Sequence, residues 1–234
     1  MCVTKADSCA QGALKMNGKV ALLHTVFVYI KSMKTNSYIK AVVFDLSEVL
    51  LSGLIGMRAD LAIRLGVSTD SVDFRIPELK SLFEGRISEK DFWRALVKEM
   101  RWGIDPHELN LLVRAGFVEI MGTREIISNL KECGYTMGLF SVHAKEWINF
   151  CEKYFKYRNL FDHVIYSFEI RVCKPEPLAF DILIARLGLC PSEILFIDDS
   201  YANLDTASQM GIHTLLFESS TQLTKQLKDL NMIS

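Results

Sequence analysis

The stretch AVVFDLSEVLL, residues 41–51, places a carboxylate at the end of a wholly apolar run. Ala41 to Phe44 reads as a strand buried on both faces, because it shows no alternation of polar and apolar positions. Asp45 stands where that strand ends. In an open parallel sheet, ligands bind outside the carboxyl ends of the strands. An acid at such an end is therefore a candidate for chemistry, and the Ser47 that follows needs explaining beside it.

The rest of the chain repeats the pattern. Tyr135–Phe140, His163–Tyr166, Ile194–Ile197 and His213–Phe217 are further apolar strand candidates. Helical stretches separate them: Thr123 to Cys133 before Gly134, Pro177 to Leu187 before Gly188, and Ala202 to Met210 before Gly211. Glycine just past a helix end is the usual stop signal. Short apolar strands alternating with helices predict an α/β fold, a doubly wound parallel sheet with helices on both faces. Residues 54–120 break the rhythm. They read as helical, with Ser88 as a start signal and Phe92, Leu96 and Met100 on one face. The expected organisation is an N-terminal extension over residues 1–38, a core over 39–53 and 121–234, and an inserted helical cap over 54–120.

Bulk properties narrow the function. The chain has 234 residues, half of them hydrophobic and 24% charged, which suits one folded domain carrying an insertion. A net charge of -1 gives no electrostatic reason to expect nucleic acid. The six cysteines contain no CxxC pair and read as free thiols of a reducing compartment, so a cytoplasmic location is expected. Val20 to Ile30 is apolar and flanked by lysines, but it is shorter than the ~20 residues that span a bilayer. No membrane partner is expected.

Four polar positions fall at strand ends or in the loops beyond them: Asp45, Ser141, Lys174, and the pair Asp198 and Asp199. Each has an ordinary structural reading as a turn residue, a helix cap or a surface turn. Together they form a coherent chemical set. A carboxylate can attack phosphorus. Several carboxylates in one place call for a cation, and an all-oxygen donor set suits Mg²⁺. A serine with its neighbouring backbone N–H groups can bind phosphoryl oxygens, and a lysine can offset developing charge.

In this order, Phe44-Asp45, Ser141, Lys174-Pro175 and Ile197-Asp198-Asp199-Ser200, with Asn203 beyond, resemble the four motifs of the haloacid dehalogenase-like hydrolase superfamily. The resemblance covers residues 40 to about 218, and the insertion is similar to that superfamily's helical cap. It implies a nucleophile and metal ligand at Asp45, and a second ligand from the Ser47 backbone carbonyl. It further implies phosphate contacts from Ser141 and Val142, a bridging lysine at Lys174, and a metal ligand at Asp199. Asp198 would be an outer or alternate ligand, and Asn203 a supporting group. The implied cofactor is Mg²⁺ and the implied partner a small phosphorylated metabolite.

Ser47 departs from the pattern. Most phosphatases of this superfamily have a second aspartate there, acting as general acid and then general base. Three readings follow. In the preferred one, the protein is a phosphatase whose leaving group needs little protonation, such as a sugar 1-phosphate. Glu84-Gly85-Arg86-Ile87-Ser88 and Lys174-Pro175-Glu176 are also similar to a sugar 1-phosphate phosphatase branch. In the second, the chain is a dehalogenase acting on carbon without metal, against which the paired acids argue. In the third, catalysis is lost or weak and the protein binds a phosphorylated ligand or another protein. His143 is a substitute donor or a structural residue, and Glu48 is expected to point away from the site. Arg86, Trp93 and Arg101 are cap residues that either face the site or lie on the surface. Receiver domains carry their double acid after the first strand, the reverse of this order. Ser141 lacks the G-x-S-x-G elbow of a Ser-His-Asp hydrolase.

Overall fold

A computed structural model describes residues 38–234. The expected extension over residues 1–38, with its apolar stretch, lies outside the described residues except at Tyr38. Five strands form one all-parallel sheet: β1 (Ala41–Phe44), β2 (Thr136–Ser141), β3 (His163–Tyr166), β4 (Ile194–Asp198) and β5 (His213–Leu216). Their order is β3-β2-β1-β4-β5. The chain runs outward from β1 to β3, then crosses to β4 on the other side of β1. That reversal is the point where a doubly wound sheet opens its binding crevice.

The sequence reading of the strands holds, with small shifts at the ends. Ser141 and Asp198 are the last residues of β2 and β4 rather than the first residues beyond them, and Phe217 drops out of β5. Val42, Val43 and Phe44 are wholly buried. Val42 and Phe44 join one core cluster and Val43 the other, so both sheet faces are covered. Gly138 in β2 sits opposite Val43. A Cβ there would lie 2.9 Å from Val43 Cγ2, so glycine is what lets the two central strands pair at this point.

Five α-helices lie between β1 and β2: α1 (Arg58–Leu65), α2 (Pro77–Phe83), α3 (Glu89–Met100), α4 (Pro106–Gly116) and α5 (Thr123–Glu132), the last of which leads into β2. Ser88 caps α3, its Oγ accepting from Asp91 N at 3.2 Å. Asp105 caps α4, accepting from His107 N at 2.8 Å, and Pro106 occupies the first turn. The apolar stripe of α3 faces inward with Phe92, Trp93 and Leu96 buried; Met100 is only half-buried. Between β2 and the C-terminus come α6 (Lys145–Phe155), α7 (Ser167–Ile170), α8 (Pro177–Leu187), α9 (Tyr201–Gln209) and α10 (Ser220–Asp229). No helix among the described residues is long and apolar enough to cross a membrane.

The end of α2 is tied down by backbone hydrogen bonds. Ser167 Oγ donates to the Phe83 carbonyl at 2.6 Å and accepts from His143 N at 3.1 Å. Arg171 donates to the carbonyls of Glu84, at 3.1 Å, and of Gly85. Lys80 pairs with Glu176 at 2.9 Å. An aromatic cluster joins the same parts: Phe83, Phe92 and Phe117 all pack on Trp147 of α6.

Replacing Gly138 with alanine forces Val43 off its rotamer in a close-packed sheet. Overpacking of this kind costs about 1–3 kcal/mol. Urea unfolding of Gly138→Ala is expected to show a lower midpoint with an unchanged slope.

Candidate active site

Two strand ends build the centre. Phe44 pairs with Ile197, and Asp45 N donates to the Ile197 carbonyl at 2.9 Å, which sets Asp45 beside Asp198 at the carboxyl edge. Lys174 reaches in from the loop after α7. Its Nζ lies 3.0 Å from Asp45 Oδ1 and 2.6 Å from Asp198 Oδ2. The contact with Asp198 is an aligned hydrogen bond. The contact with Asp45 is an ion pair only, and Asp45 Oδ1 accepts no aligned hydrogen bond. The Lys174 side chain is 1% exposed and lies over the rings of Phe140 and Phe196, at 5.2 and 5.0 Å from their centroids.

Asp198 is saturated. Besides Lys174, it accepts from Ser200 N at 2.8 Å and from both approaches of Asn203 Nδ2, at 2.9 and 3.1 Å. Asp199 is half-buried beside it. One carboxylate oxygen from each of Asp45, Asp198 and Asp199 lies within 4.8 Å of the others. Three acids facing one ammonium leave excess negative charge. Burial and the neighbouring acids push the Asp45 carboxyl up to about 7 against the pull of Lys174, and burial with Asp198 pushes Asp199 up to about 6. The donor set is all oxygen, and Asp45 keeps an unaligned buried oxygen. These residues fit a hard divalent cation such as Mg²⁺.

Ser141 closes the other side, paired to Tyr166 on β3 and two residues beyond the Phe44–Leu139 pair. It is fully buried and its Oγ has no partner. Val142 follows, half-buried. Ser47 is half-buried in the turn after β1, where it bridges to Leu51. Glu48 has φ 58° and its Oε1 accepts from Gly53 N at 2.9 Å and Gly56 N at 3.1 Å. Its carboxylate is committed to holding that loop, while its charge still reaches Asp199 and helps to raise that acid's pKa.

Sequence reasoning left four residues open. His143 is buried among Phe83, Phe117 and Trp147, and burial pulls its imidazole down to about 4, so it is neutral near pH 7. Arg86 is exposed and paired with Glu84, and Arg101 is exposed at the end of α3, so the surface reading holds for both. It fails for Trp93, which is 1% exposed and packs on Trp147 at 5.4 Å. The ties from Ser167 and Arg171 went unnoticed. They run to backbone carbonyls, which carry no residue signature.

Residues 104–217 match the model of the haloacid dehalogenase-like hydrolase family. The chain is 26% identical over 149 residues to flavin mononucleotide hydrolase 1 of Arabidopsis thaliana, covering 64% of this chain and 60% of that protein. It is 40% identical over 73 residues to acyl-CoA dehydrogenase family member 10 of mouse, covering 31% of this chain and 7% of that protein. The chain thus spans less than two thirds of either relative. Among solved structures, it is similar to a HAD-like family hydrolase from Porphyromonas gingivalis. The TM-score there is 0.64 at 25% identity, over 82% of this chain and 98% of that one. A HAD family enzyme from Bacteroides thetaiotaomicron, complexed with magnesium and inorganic phosphate, gives a TM-score of 0.63 at 23% identity over 77% of this chain and 95% of that one. The parallel sheet and the acid cluster at its carboxyl edge accord with these matches, which make the chain similar to haloacid dehalogenase-like hydrolases over residues 104–217.

Proposed function

We propose that the protein is a Mg²⁺-dependent hydrolase of a small phosphomonoester, working through an aspartyl-phosphate on Asp45. The observation that carries this reading is the set of buried Asp45, Asp198 and Lys174 with half-buried Asp199, beside a Ser141 hydroxyl without a partner among the described residues. Relatives named as a flavin mononucleotide hydrolase and a D-ribitol-5-phosphate phosphatase support the substrate class.

The cation would be held by Asp45, Asp199 and the Ser47 carbonyl. When bound, it would offset charge on the acids and on the phosphoryl group. Asp198, with its oxygens taken, belongs to the outer layer, where it holds Lys174 in position. Lys174 favours the ionised form of Asp45 and faces the charge that develops on the phosphoryl oxygens. Ser141 Oγ and the Val142 N–H are the donors for those oxygens. Asp45 attacks phosphorus, the P–O bond to the leaving group breaks, and the alkoxide takes a proton. Water then attacks phosphorus, releases phosphate and restores the Asp45 carboxylate.

The alkoxide has to find its proton without help from position 47, because a serine hydroxyl ionises far above neutral pH. A leaving group that needs little protonation, such as the anomeric oxygen of a sugar 1-phosphate, suits this site best. The helices over residues 54–120 would act as the cap that excludes water and selects the substrate.

Phosphate release from sugar 1-phosphates, sugar 6-phosphates and aryl phosphates, with Mg²⁺ and with EDTA, tests the reading. EDTA-sensitive turnover favouring good leaving groups is expected. Silence across the panel, with the protein folded and Mg²⁺ bound, would overturn it in favour of a binding protein or of chemistry on carbon. Asp45→Asn is expected to lower turnover by on the order of 10⁴-fold or more while the fold survives. Ser47→Asp is expected to raise activity on alkyl phosphates by about 10²–10⁴-fold, the usual worth of general acid–base help.

The raised carboxyls also set a pH dependence. An acid whose folded pKa exceeds its unfolded value binds more protons when folded, so its contribution to stability falls as pH rises through that window. For Asp45 and Asp199 the window runs from about 4 to about 7. The metal-free protein should therefore lose stability from these two groups over that range. Mg²⁺ should restore it, and restore more at pH 7.5 than at pH 5.5, where protons compete for the same oxygens. At 100 times its Kd, a ligand adds about 2.7 kcal/mol, or about 5–10 °C for a chain of this size. Thermal melts with and without Mg²⁺ at the two pH values measure this.

A further inference from the structure

Leu111 on α4 and Tyr154 on α6 are large apolar side chains left 54% and 61% exposed. They are not scattered. Both line one open groove of about 650 Å³ between the two helices, together with Ala115, Phe150 and Arg114. Phe150 packs on Tyr154 with ring centres 4.5 Å apart, and the Arg114 guanidinium lies over Phe150 at 5.4 Å. A single exposed apolar residue needs no explanation, but several gathered in one place mark a surface that another molecule covers. Aromatic side chains and arginine are also the types enriched at the centres of protein interfaces. The groove shares no lining residue with the acid cluster around Asp45.

The charges at its edge indicate what covers it. Glu146 and Lys153 line the same groove, on α6. Neither joins an ion pair among the described residues. Lys153 only leans over the Tyr154 ring, at 5.7 Å. Glu146, Asn149, Phe150 and Lys153 follow one another at spacings that share a helix face, so they form one stripe. The midpoint of the stripe falls between Asn149 and Phe150, and its two ends carry opposite charge. At a rise of 1.5 Å per residue, each charge stands about 5 Å from that midpoint along the axis. A two-fold axis through the midpoint, perpendicular to α6, lays a second copy of α6 antiparallel on the first. Such an interface uses the same patch on both subunits. Each Glu146 then lies level with Lys153 of the other copy. The same order of charges suits the helix dipole. It is the exposed aromatic floor between them that turns the stripe into a contact surface.

We propose that the chain forms a two-fold dimer through this groove, α6 packed against α6 of a second copy. Phe150 and Tyr154 make the apolar centre, and two Glu146–Lys153 pairs flank the axis. The stripe is its own electrostatic complement, and complementarity of this kind selects the partner and fixes the register. Because α4 belongs to the inserted helices and α6 to the sheet's own layer, the second copy rests on both. The proposal does not depend on the phosphatase reading.

Sedimentation velocity of the full chain across micromolar concentrations tests it. The parent is expected to pass from one chain to two as concentration rises. Glu146→Lys and Lys153→Glu are each expected to raise the dimer Kd about tenfold or more, since each reversal turns two attractions into two repulsions. Mixed in equal amounts, the two variants are expected to pair about as tightly as the parent, because one chain then offers only positive ends and the other only negative ones. A parent that stays monomeric would overturn the proposal and leave the groove to a different occupant. A dimer indifferent to both reversals, or a mixture no tighter than either variant alone, would overturn it as well. Hydrogen exchange of the parent needs no variant. Exchange over residues 145–155 is expected to slow as the dimer forms, and a dimer without that protection would contradict the proposal even if a reversal failed to fold.

Discussion

The Lys174 ammonium, buried between Asp45 and Asp198, is the interaction on which the rest of the centre depends. An ammonium and a carboxylate taken out of water each lose several kcal/mol of hydration, which their attraction offsets only in good geometry with further hydrogen bonds. Here the geometry is supplied from several directions. Asn203 and Ser200 N fill the remaining positions on Asp198, and two aromatic faces carry the charge of Lys174. Asp45 alone is left with an oxygen that accepts no aligned hydrogen bond. The surroundings hold that carboxylate in place while leaving it chemically available. The parallel sheet makes this arrangement possible by ending β1 and β4 side by side.

Much of the core was legible in residue order because parallel strands buried on both faces write a plain signal. Ala41–Phe44 and His163–Tyr166 emerge with the expected bounds, and α8 begins at Pro177 and ends at Leu187 as its proline and glycine signals indicate. The errors are at strand ends. Ser141 and Asp198 are polar, and a reading based on apolar runs stops one residue early at each. Ladder pairing with Tyr166 and with Leu216 carries the strand through them. The four inserted helices were legible as helical, since the cap at Ser88 and the apolar spacing after it are local features.

The candidate site was legible where its residues sit at strand ends, because topology then brings distant positions together: Asp45, Ser141, Asp198 and Asp199. Lys174 was found by its place in a loop, but its bridging of Asp45 and Asp198, closer to Asp198, is a matter of distances that no spacing reveals. His143 and Trp93 were harder. Residue type leaves a loop histidine and a helix tryptophan open to both polar and buried roles. Only packing against Trp147 decides, and Trp147 lies on another element. Glu48 is intermediate. Its position next to Ser47 gave it no assigned role, while its commitment to Gly53 and Gly56 goes with a left-handed backbone at Glu48 itself.

What separates phosphorus chemistry from carbon chemistry or mere binding is the covalent intermediate. Acid-quenched mass spectrometry of the full chain, mixed with Mg²⁺ and acetyl phosphate, asks for it directly. The peptide containing Asp45 is expected to gain the mass of one HPO₃ group, to lose it on treatment with hydroxylamine, and to stay unmodified in EDTA. An Asp45 peptide that remains unmodified while the protein releases phosphate, or a phosphoryl group found on another residue, would contradict the role given to Asp45 and the mechanism built on it.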